Sequence, residues 1–127
     1  MGVAYKLIAL AVAGAIGTLA RYALAGLVSR HVDVSFPWGT LAVNVAGCLL
    51  AGMFWALAEQ RVSISGDLRA VVMIGFMGGF TTFSAYMLET ANLLRGGQWA
   101  FAAGNIMLQN VLGLAALLGG LVIGSRL

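Results

Sequence analysis

The sequence predicts an all-α membrane protein with four transmembrane helices, and three observations predict that class. Of its 127 residues, 61% are hydrophobic and only 9% are charged, whereas a soluble domain normally carries about 25% charged residues. Charged and turn residues divide the chain into four apolar stretches, each close to the roughly 20 residues that a spanning helix needs. The connections between these stretches are short. We therefore expect one transmembrane domain, residues 1–127, with no separate soluble domain.

Each span has a recognisable beginning and end. The predicted spans are residues 4–28, 38–58, 68–94 and 99–124. Pro37 stands just before the second span, and proline suits the first turn of a helix. Trp38 and Trp99 open their spans and Trp55 lies near the end of one, as in the aromatic belts of membrane interfaces. The first stretch exceeds the apolar region of a signal peptide and lacks a polar cleavage region, so we expect it to be retained.

Charge predicts only a weak orientation in the membrane. Four spans place both termini on one side, and the cations of that side would be Lys6, Arg61, Arg69 and Arg126. The opposite side would hold Arg30 and Arg95, while Arg21 lies inside or near the first span. The difference in the number of cations between the two sides is a small positive-inside bias. Insertion with a weak preference and insertion in both orientations therefore both remain open.

Several functional classes find no support in the composition. Cys48 is the only cysteine and lies in an apolar run, so it reads as a packing residue. His31 is the only histidine, and without a Cys/His cluster we expect no zinc or haem site. The net charge of +3 comes from scattered residues, so we expect no nucleic-acid partner.

Glycine is frequent, with 18 residues, and it recurs at spacings that let membrane helices approach closely. The spacings are Gly75 with Gly79, Cys48 with Gly52, and Gly120 with Gly124. They indicate dense packing, including an interface between copies. Because four helices are too few to surround a pathway, we expect an oligomer.

The third span carries the most informative segment, residues 75–86. Three glycines, two threonines and a serine fall within ten residues at the middle of an apolar span. Glycine and threonine both weaken a helix, so the sequence predicts a break here. Lipid offers no partners to freed backbone groups, and such breaks are tolerated where they line a site. Freed carbonyls then bind cations and freed amides bind anions. A flexible glycine-rich helix at a packed contact is the alternative.

Three segments together resemble the fluoride-channel (Fluc, CrcB-type) family. They are Gly-Gly-Phe-Thr-Thr-Phe-Ser at residues 78–84, Gly-Thr-Leu-Ala-Val-Asn at residues 39–44, and Gly-Thr-Leu-Ala-Arg-Tyr at residues 17–22. They occur in the family's order with one segment in each span, and the resemblance covers the whole chain. It implies a passive, fluoride-selective anion channel of the bacterial inner membrane that lowers cytoplasmic fluoride toxicity. It further implies an antiparallel, dual-topology homodimer with two pores.

The resemblance also assigns residues. A structural sodium ion at the dimer centre would be held by the backbone carbonyls of Gly78 and Thr81. The family's pore asparagine matches Asn44, and its two pore phenylalanines match Phe83 and Tyr86. Tyr86 departs from the commoner phenylalanine but still presents a positive ring edge to an anion. Two further family positions, an arginine and a glutamate, match Arg21 and Glu89.

Fluoride is small and strongly hydrated, so a selective pathway must replace its water with hydrogen-bond donors. Asn44 offers an amide and Thr40, one turn away, a hydroxyl on the same face. The third span adds the hydroxyls of Thr82 and Ser84. The fourth span adds Asn105 and Gln109, whose alternative reading is hydrogen bonding that joins helices.

Two charged residues within the spans have open interpretations. Arg21 is a functional candidate as an intramembrane charge, or it lies near a span end and extends to the surface. Glu89 is a salt-bridge partner or lies near the aqueous mouth of the pathway.

Three other classes of protein are alternatives to a channel. A four-span multidrug transporter would need a carboxylate in its first span, and this span has none. A structural subunit of a larger membrane complex would use the glycines and amides for packing alone. An enzyme finds least support, because no nucleophile, base and orienting group stand together.

Overall fold

The computed structural model describes residues 1–61 and 63–127, and the regular secondary structure in those ranges is helical. Four helical stretches are long and apolar enough to cross a membrane: Val3–Ser29, Trp38–Gln60, Gly66–Arg95 and Trp99–Ser125. The first two are helices α1 and α2, and the last is α6. The predictions of an all-α fold and of four spanning helices are confirmed.

The third span is not one continuous α-helix. It consists of α3 (Gly66–Ala70), a π-helical stretch (Val71–Phe76), α4 (Met77–Phe80) and α5 (Phe83–Arg95). Ser65 caps its start by accepting a hydrogen bond from the backbone N–H of Leu68 at 3.2 Å. The two residues between α4 and α5 have extended backbone.

Both termini lie at the same end of the bundle. Lys6 forms an ion pair with Asp67 at the start of the third span, with 2.8 Å between Nζ and Oδ1. At the other terminus the amide of Gln60, at the end of α2, donates to the carbonyl of Ser125 at 3.0 Å. Because the end of α2 leads directly into the third span, these contacts belong to one end of the molecule.

Glycines bring α2 and α6 into backbone contact. A Cβ on Gly52 would collide with the carbonyl of Leu117, and a Cβ on Gly120 would collide with the carbonyl of Leu49. Gly124 is placed in the same way against Met53. These small-residue spacings therefore pack helices within one chain, and the expected contact between copies does not use them.

We expect Gly120→Val to destabilise the bundle, whereas Gly119→Val should not. A side chain at Gly120 forces α2 and α6 apart, while a Cβ at Gly119 meets nothing within 4 Å. Overpacking costs about 1–3 kcal/mol. Thermal unfolding of the two variants in detergent, followed by tryptophan fluorescence, measures the difference. Equal unfolding temperatures would contradict this packing.

Helix α1 packs equally closely on the third span. A Cβ on Gly17 would collide with the carbonyl of Phe76, and a Cβ on Gly79 would collide with the carbonyl of Gly14. Arg21 follows Gly17 by one helical turn and so faces the same neighbour. The close approach at Gly17 thus carries Arg21 to the point where the third span is interrupted.

The bundle buries several polar side chains while many large apolar side chains lie on its outside. Asn105 is 0% exposed and Thr90 is 5% exposed, whereas Leu7, Ile74 and Leu114 are each more than 60% exposed. Apolar side chains around a bundle match the hydrocarbon of a bilayer. The chain is therefore a multi-pass membrane protein.

Candidate functional site at the interruption of the third span

The side chain of Asn44 replaces helix hydrogen bonds where the third span is interrupted. Thr81 and Thr82 have extended backbone, with φ and ψ of −87° and 157° and of −147° and 111°. The backbone N–H of Thr82 donates to Asn44 Oδ1 at 2.9 Å, and Asn44 Nδ2 donates back to the carbonyl of Thr82 at 3.1 Å. One amide thus satisfies both polar groups of Thr82, which lipid could not do.

The interruption also redirects the neighbouring N–H groups. In a continuous helix Thr82 N–H would donate to Gly78 and Ala85 N–H to Thr81. Instead Thr82 N–H donates to Asn44, and Ala85 N–H donates to the hydroxyl of Thr82 at 3.2 Å, which caps α5. The carbonyls of Gly78 and Thr81 are thereby released from the helix ladder.

Arg21 takes over one of the carbonyls at the end of α4. Its Nε donates to the carbonyl of Gly79 at 2.9 Å. In a continuous helix Phe83 N–H would be that carbonyl's partner. Arg21 is half-buried and reaches the middle of the third span rather than extending to the membrane surface. This contact argues against the interpretation in which Arg21 lies near a span end and extends to the surface.

Glu89 is paired with Thr40 rather than with a cation. The hydroxyl of Thr40 donates to Glu89 Oε1 at 2.7 Å, while Oε2 is buried without a hydrogen-bond partner. Within residues 1–61 and 63–127 the ion pairs are those of Asp67 with Lys6 and with the N-terminus, so the salt-bridge interpretation of Glu89 finds no partner.

Two adjoining cavities connect this site to one end of the bundle. A cavity of about 480 Å³ opens beside the loop residues Asp33 and Ser35, and Thr40 and Glu89 line its inner part. A cavity of about 450 Å³ is lined by the same two residues and reaches Arg21 and Thr82. A crevice therefore leads from the loop after α1 to the interruption.

On the fourth span, amide side chains continue the polar contacts. Asn44 Nδ2 also donates to Gln109 Oε1 at 3.1 Å. Asn105 Nδ2 donates to the hydroxyl of Thr90 at 2.9 Å, and that hydroxyl donates to the carbonyl of Tyr86 at 2.8 Å. Asn105 and Gln109 thus make the interhelical bonds of the alternative reading. Each also keeps one buried atom without a partner, Asn105 Oδ1 and Gln109 Nε2.

Two aromatic rings follow the interruption. The ring centroids of Phe83 and Tyr86 are 5.6 Å apart with an interplanar angle of 78°. Phe83 is 72% exposed in the single chain, and Ser84 beside it is also exposed, whereas Tyr86 is buried. The hydroxyl of Tyr86 accepts a hydrogen bond from Asn110 Nδ2 at 3.3 Å.

If the chain conducts fluoride, as the resemblance implies, Tyr86→Phe is expected to change fluoride release from liposomes by less than about threefold. Asn110 also donates to the carbonyl of Ile106 at 2.8 Å, so it keeps a partner when the hydroxyl is lost, and the loss costs about 1 kcal/mol or less. A fluoride electrode measures the rate. A tenfold loss would instead assign the hydroxyl a direct part in transport.

The structure brings most of the predicted side chains together. Asn44, Thr82 and Gln109 are joined by hydrogen bonds, Thr40 lies beside Glu89, and Arg21 lies at Gly79. Phe83 and Ser84 are exposed in the single chain. Thr90 is the polar residue that the sequence reasoning missed, although its position one turn after Tyr86 places it on the same helix face.

Sequence comparison finds many relatives of this chain. The family described as CrcB-like protein, Camphor Resistance (CrcB), matches residues 8–121. The chain is 51% identical over 120 residues to the fluoride-specific ion channel FluC of Desulforapulum autotrophicum, which covers 94% of this chain and 96% of that protein. It is 52% identical over 118 residues to the protein of the same name from Nitrosococcus oceani, with 93% and 94% covered.

Proposed function

The chain belongs to the CrcB-like family, and from this membership we propose that it is a fluoride-selective anion channel that exports fluoride passively. Hydrogen fluoride enters acidified cells as a neutral acid and dissociates inside, where the anion is trapped. A negative-inside membrane potential then drives fluoride out through an open path, so no coupled energy source is needed. The protein is thus an ion channel rather than an enzyme, and its export lowers cytoplasmic fluoride toxicity.

The observation that carries this proposal is a line of donors and unpartnered polar atoms inside a membrane bundle. The crevice leads past Thr40 and Arg21 to Thr82, where Asn44 joins the second span to Gln109 of the fourth. Buried polar groups without partners are expensive away from water. A passing anion with its remaining water supplies the missing partners. Asn105, Phe83, Tyr86 and Ser84 would line the rest of the path.

A structural sodium ion fits the released carbonyls of Gly78 and Thr81. Hard cations prefer oxygen ligands, and the redirected N–H groups of Thr82 and Ala85 leave both oxygens available. Gly78 is exposed, and a Cβ there meets nothing within 4 Å, so a second copy can approach and supply an equal pair of carbonyls.

We expect the protein to unfold at a lower temperature in N-methylglucamine buffer than in sodium buffer. An unchanged temperature would argue against the ion.

Two copies are proposed to form an antiparallel homodimer in the bacterial inner membrane. The support is the exposure of Phe83, which lies next to the interruption and is 72% exposed in the single chain. A residue that lines a pore must be covered, so we expect a second copy to pack against it. The weak charge bias between the two ends permits insertion in both orientations.

Light scattering in detergent should give the mass of a dimer. A single added cysteine in the loop after α1 should be labelled from both sides of the membrane; labelling from one side only would exclude dual topology.

The decisive experiment is fluoride release from liposomes that contain the purified protein. With potassium inside and valinomycin present, a fluoride electrode should record fast release, while a chloride electrode should record none. Retention of fluoride by liposomes shown to hold folded protein would refute the channel. The packing-subunit interpretation would then take its place.

A further inference from the structure

The backbone of Thr82 determines how the amide of Gln109 is oriented. A backbone N–H can only donate, so the Asn44 atom that faces it must be the oxygen. Asn44 Nδ2 therefore faces both the carbonyl of Thr82 and Gln109, each at 3.1 Å. Because Nδ2 can only donate, Gln109 must present its oxygen to Asn44. The nitrogen of Gln109 consequently points away from Asn44.

This nitrogen is a donor held inside the protein with nothing to bind. Gln109 is 9% exposed, and its Nε2 is buried without a hydrogen-bond partner. Leaving such a donor unpaired costs free energy comparable to a lost hydrogen bond. Two interhelical bonds hold the amides in this arrangement, so the donor keeps one orientation in which this chain supplies no acceptor.

The donors of Asn44 and Thr40 are already engaged. Both hydrogens of Asn44 Nδ2 go to protein oxygens, and the Thr40 hydroxyl donates to Glu89. Accepting fluoride from either would require breaking one of these bonds. Among the amides on the proposed path, Gln109 has both hydrogens of its nitrogen free, whereas Asn105 Nδ2 already donates one of its two to Thr90.

We propose that Gln109 is the side chain that donates directly to fluoride in the interior of this chain, and that Asn44 is its positioning residue. The inference rests on the proposed channel function and assigns roles within it. Asn44 has two tasks: it holds the extended backbone of Thr82, and it turns the nitrogen of Gln109 toward the anion.

Asn105 carries a second unpartnered polar atom on the same helix. Its Oδ1 is buried without a partner one turn before Gln109, and the bond to Thr90 fixes it as an oxygen. An oxygen acceptor repels a bare anion. A fluoride that keeps one water would match this oxygen, because the water could donate one hydrogen to fluoride and the other to Asn105 Oδ1.

The test compares three variants of the full chain in liposomes at low protein density. Gln109→Glu keeps an oxygen for Asn44 and replaces the free donor with an acceptor. Gln109→Met removes both polar ends at similar volume and serves if the glutamate variant does not fold. Gln60→Glu makes the same amide-to-carboxylate change at an exposed position at the end of α2.

We expect both Gln109 variants to release fluoride about 10- to 100-fold more slowly per active vesicle, the range of one lost hydrogen bond to a charge. The fraction of active vesicles should stay unchanged, because that fraction reports folded protein. Gln60→Glu should match the unmodified chain. A folded Gln109 variant that releases fluoride at the original rate would overturn the proposal. So would a variant in which fewer vesicles are active but each active vesicle keeps the original rate, because that variant would have lost folded protein and not transport. Failure of the unmodified chain to release fluoride would instead refute the channel.

Discussion

Asn44→Asp is expected to slow fluoride release by about 100-fold or more, a larger loss than any of the variants above. The aspartate still accepts from the N–H of Thr82, so the interruption keeps its capping bond. It loses the donor that now serves the carbonyl of Thr82 and Gln109 Oε1. Two oxygen acceptors would then face a carboxylate, and each such mismatch costs about 1–3 kcal/mol. The new negative charge also repels the anion.

The measurement is the initial rate of fluoride release from liposomes. Gln60→Glu is the matched control, since it makes the same chemical change on the same helix. Size-exclusion chromatography and thermal unfolding show that the variant is folded. If Asn44→Asp released fluoride at the rate of the unmodified chain, neither a pore role nor a positioning role for Asn44 would survive.

A second comparison tests how Asn44 acts. If it works through Gln109, Asn44→Asp should cost less in a Gln109→Met background than in the unmodified chain, because the donor it orients is already gone. Independent contributions would add as free energies. Additive losses would therefore show that Asn44 acts independently of Gln109, and its positioning role toward Gln109 would be wrong.

The spans could be predicted from the sequence because their signal is local. Apolar stretches of sufficient length, bounded by Arg30, Pro37 and Arg95, leave few alternatives for 127 residues. The glycine spacings likewise indicate close helix contacts. They do not say which helices meet, so the contact of Gly120 with α2 rather than with another copy emerged only from the three-dimensional packing.

The site was less predictable because its contacts are distant in sequence. Asn44 and Thr82 are 38 positions apart, and Thr40 and Glu89 are 49 apart. Residue types alone identify Asn44 as a donor, but they cannot show that both its hydrogens are used. The orientation of Gln109 follows from those bonds and so lies beyond sequence reasoning. The sodium ion and the dimer stay predictions, carried by the resemblance and by the geometry of Gly78.

Arg21→Leu is expected to slow fluoride release by about 100-fold and to lower the stability of the bundle. The carbonyl of Gly79 would lose the donor that replaces its helix partner, at a cost of about 1–3 kcal/mol. The cavity of about 450 Å³ would also lose its cation while keeping Glu89. An anion entering from the crevice would then meet a carboxylate with no opposing charge.

Arg21→Lys separates these two effects, and Arg95→Leu controls for the loss of one positive charge at an exposed site. Lysine keeps the charge but has no nitrogen at the position of Nε, which is the atom that reaches Gly79. We therefore expect Arg21→Lys to lower stability as Arg21→Leu does while retaining more of the fluoride release. Unfolding temperatures and release rates measured on the same preparations decide the matter. If Arg21→Lys lost as much transport as Arg21→Leu, the carbonyl contact rather than the charge would be what transport requires, because the two variants share only its loss.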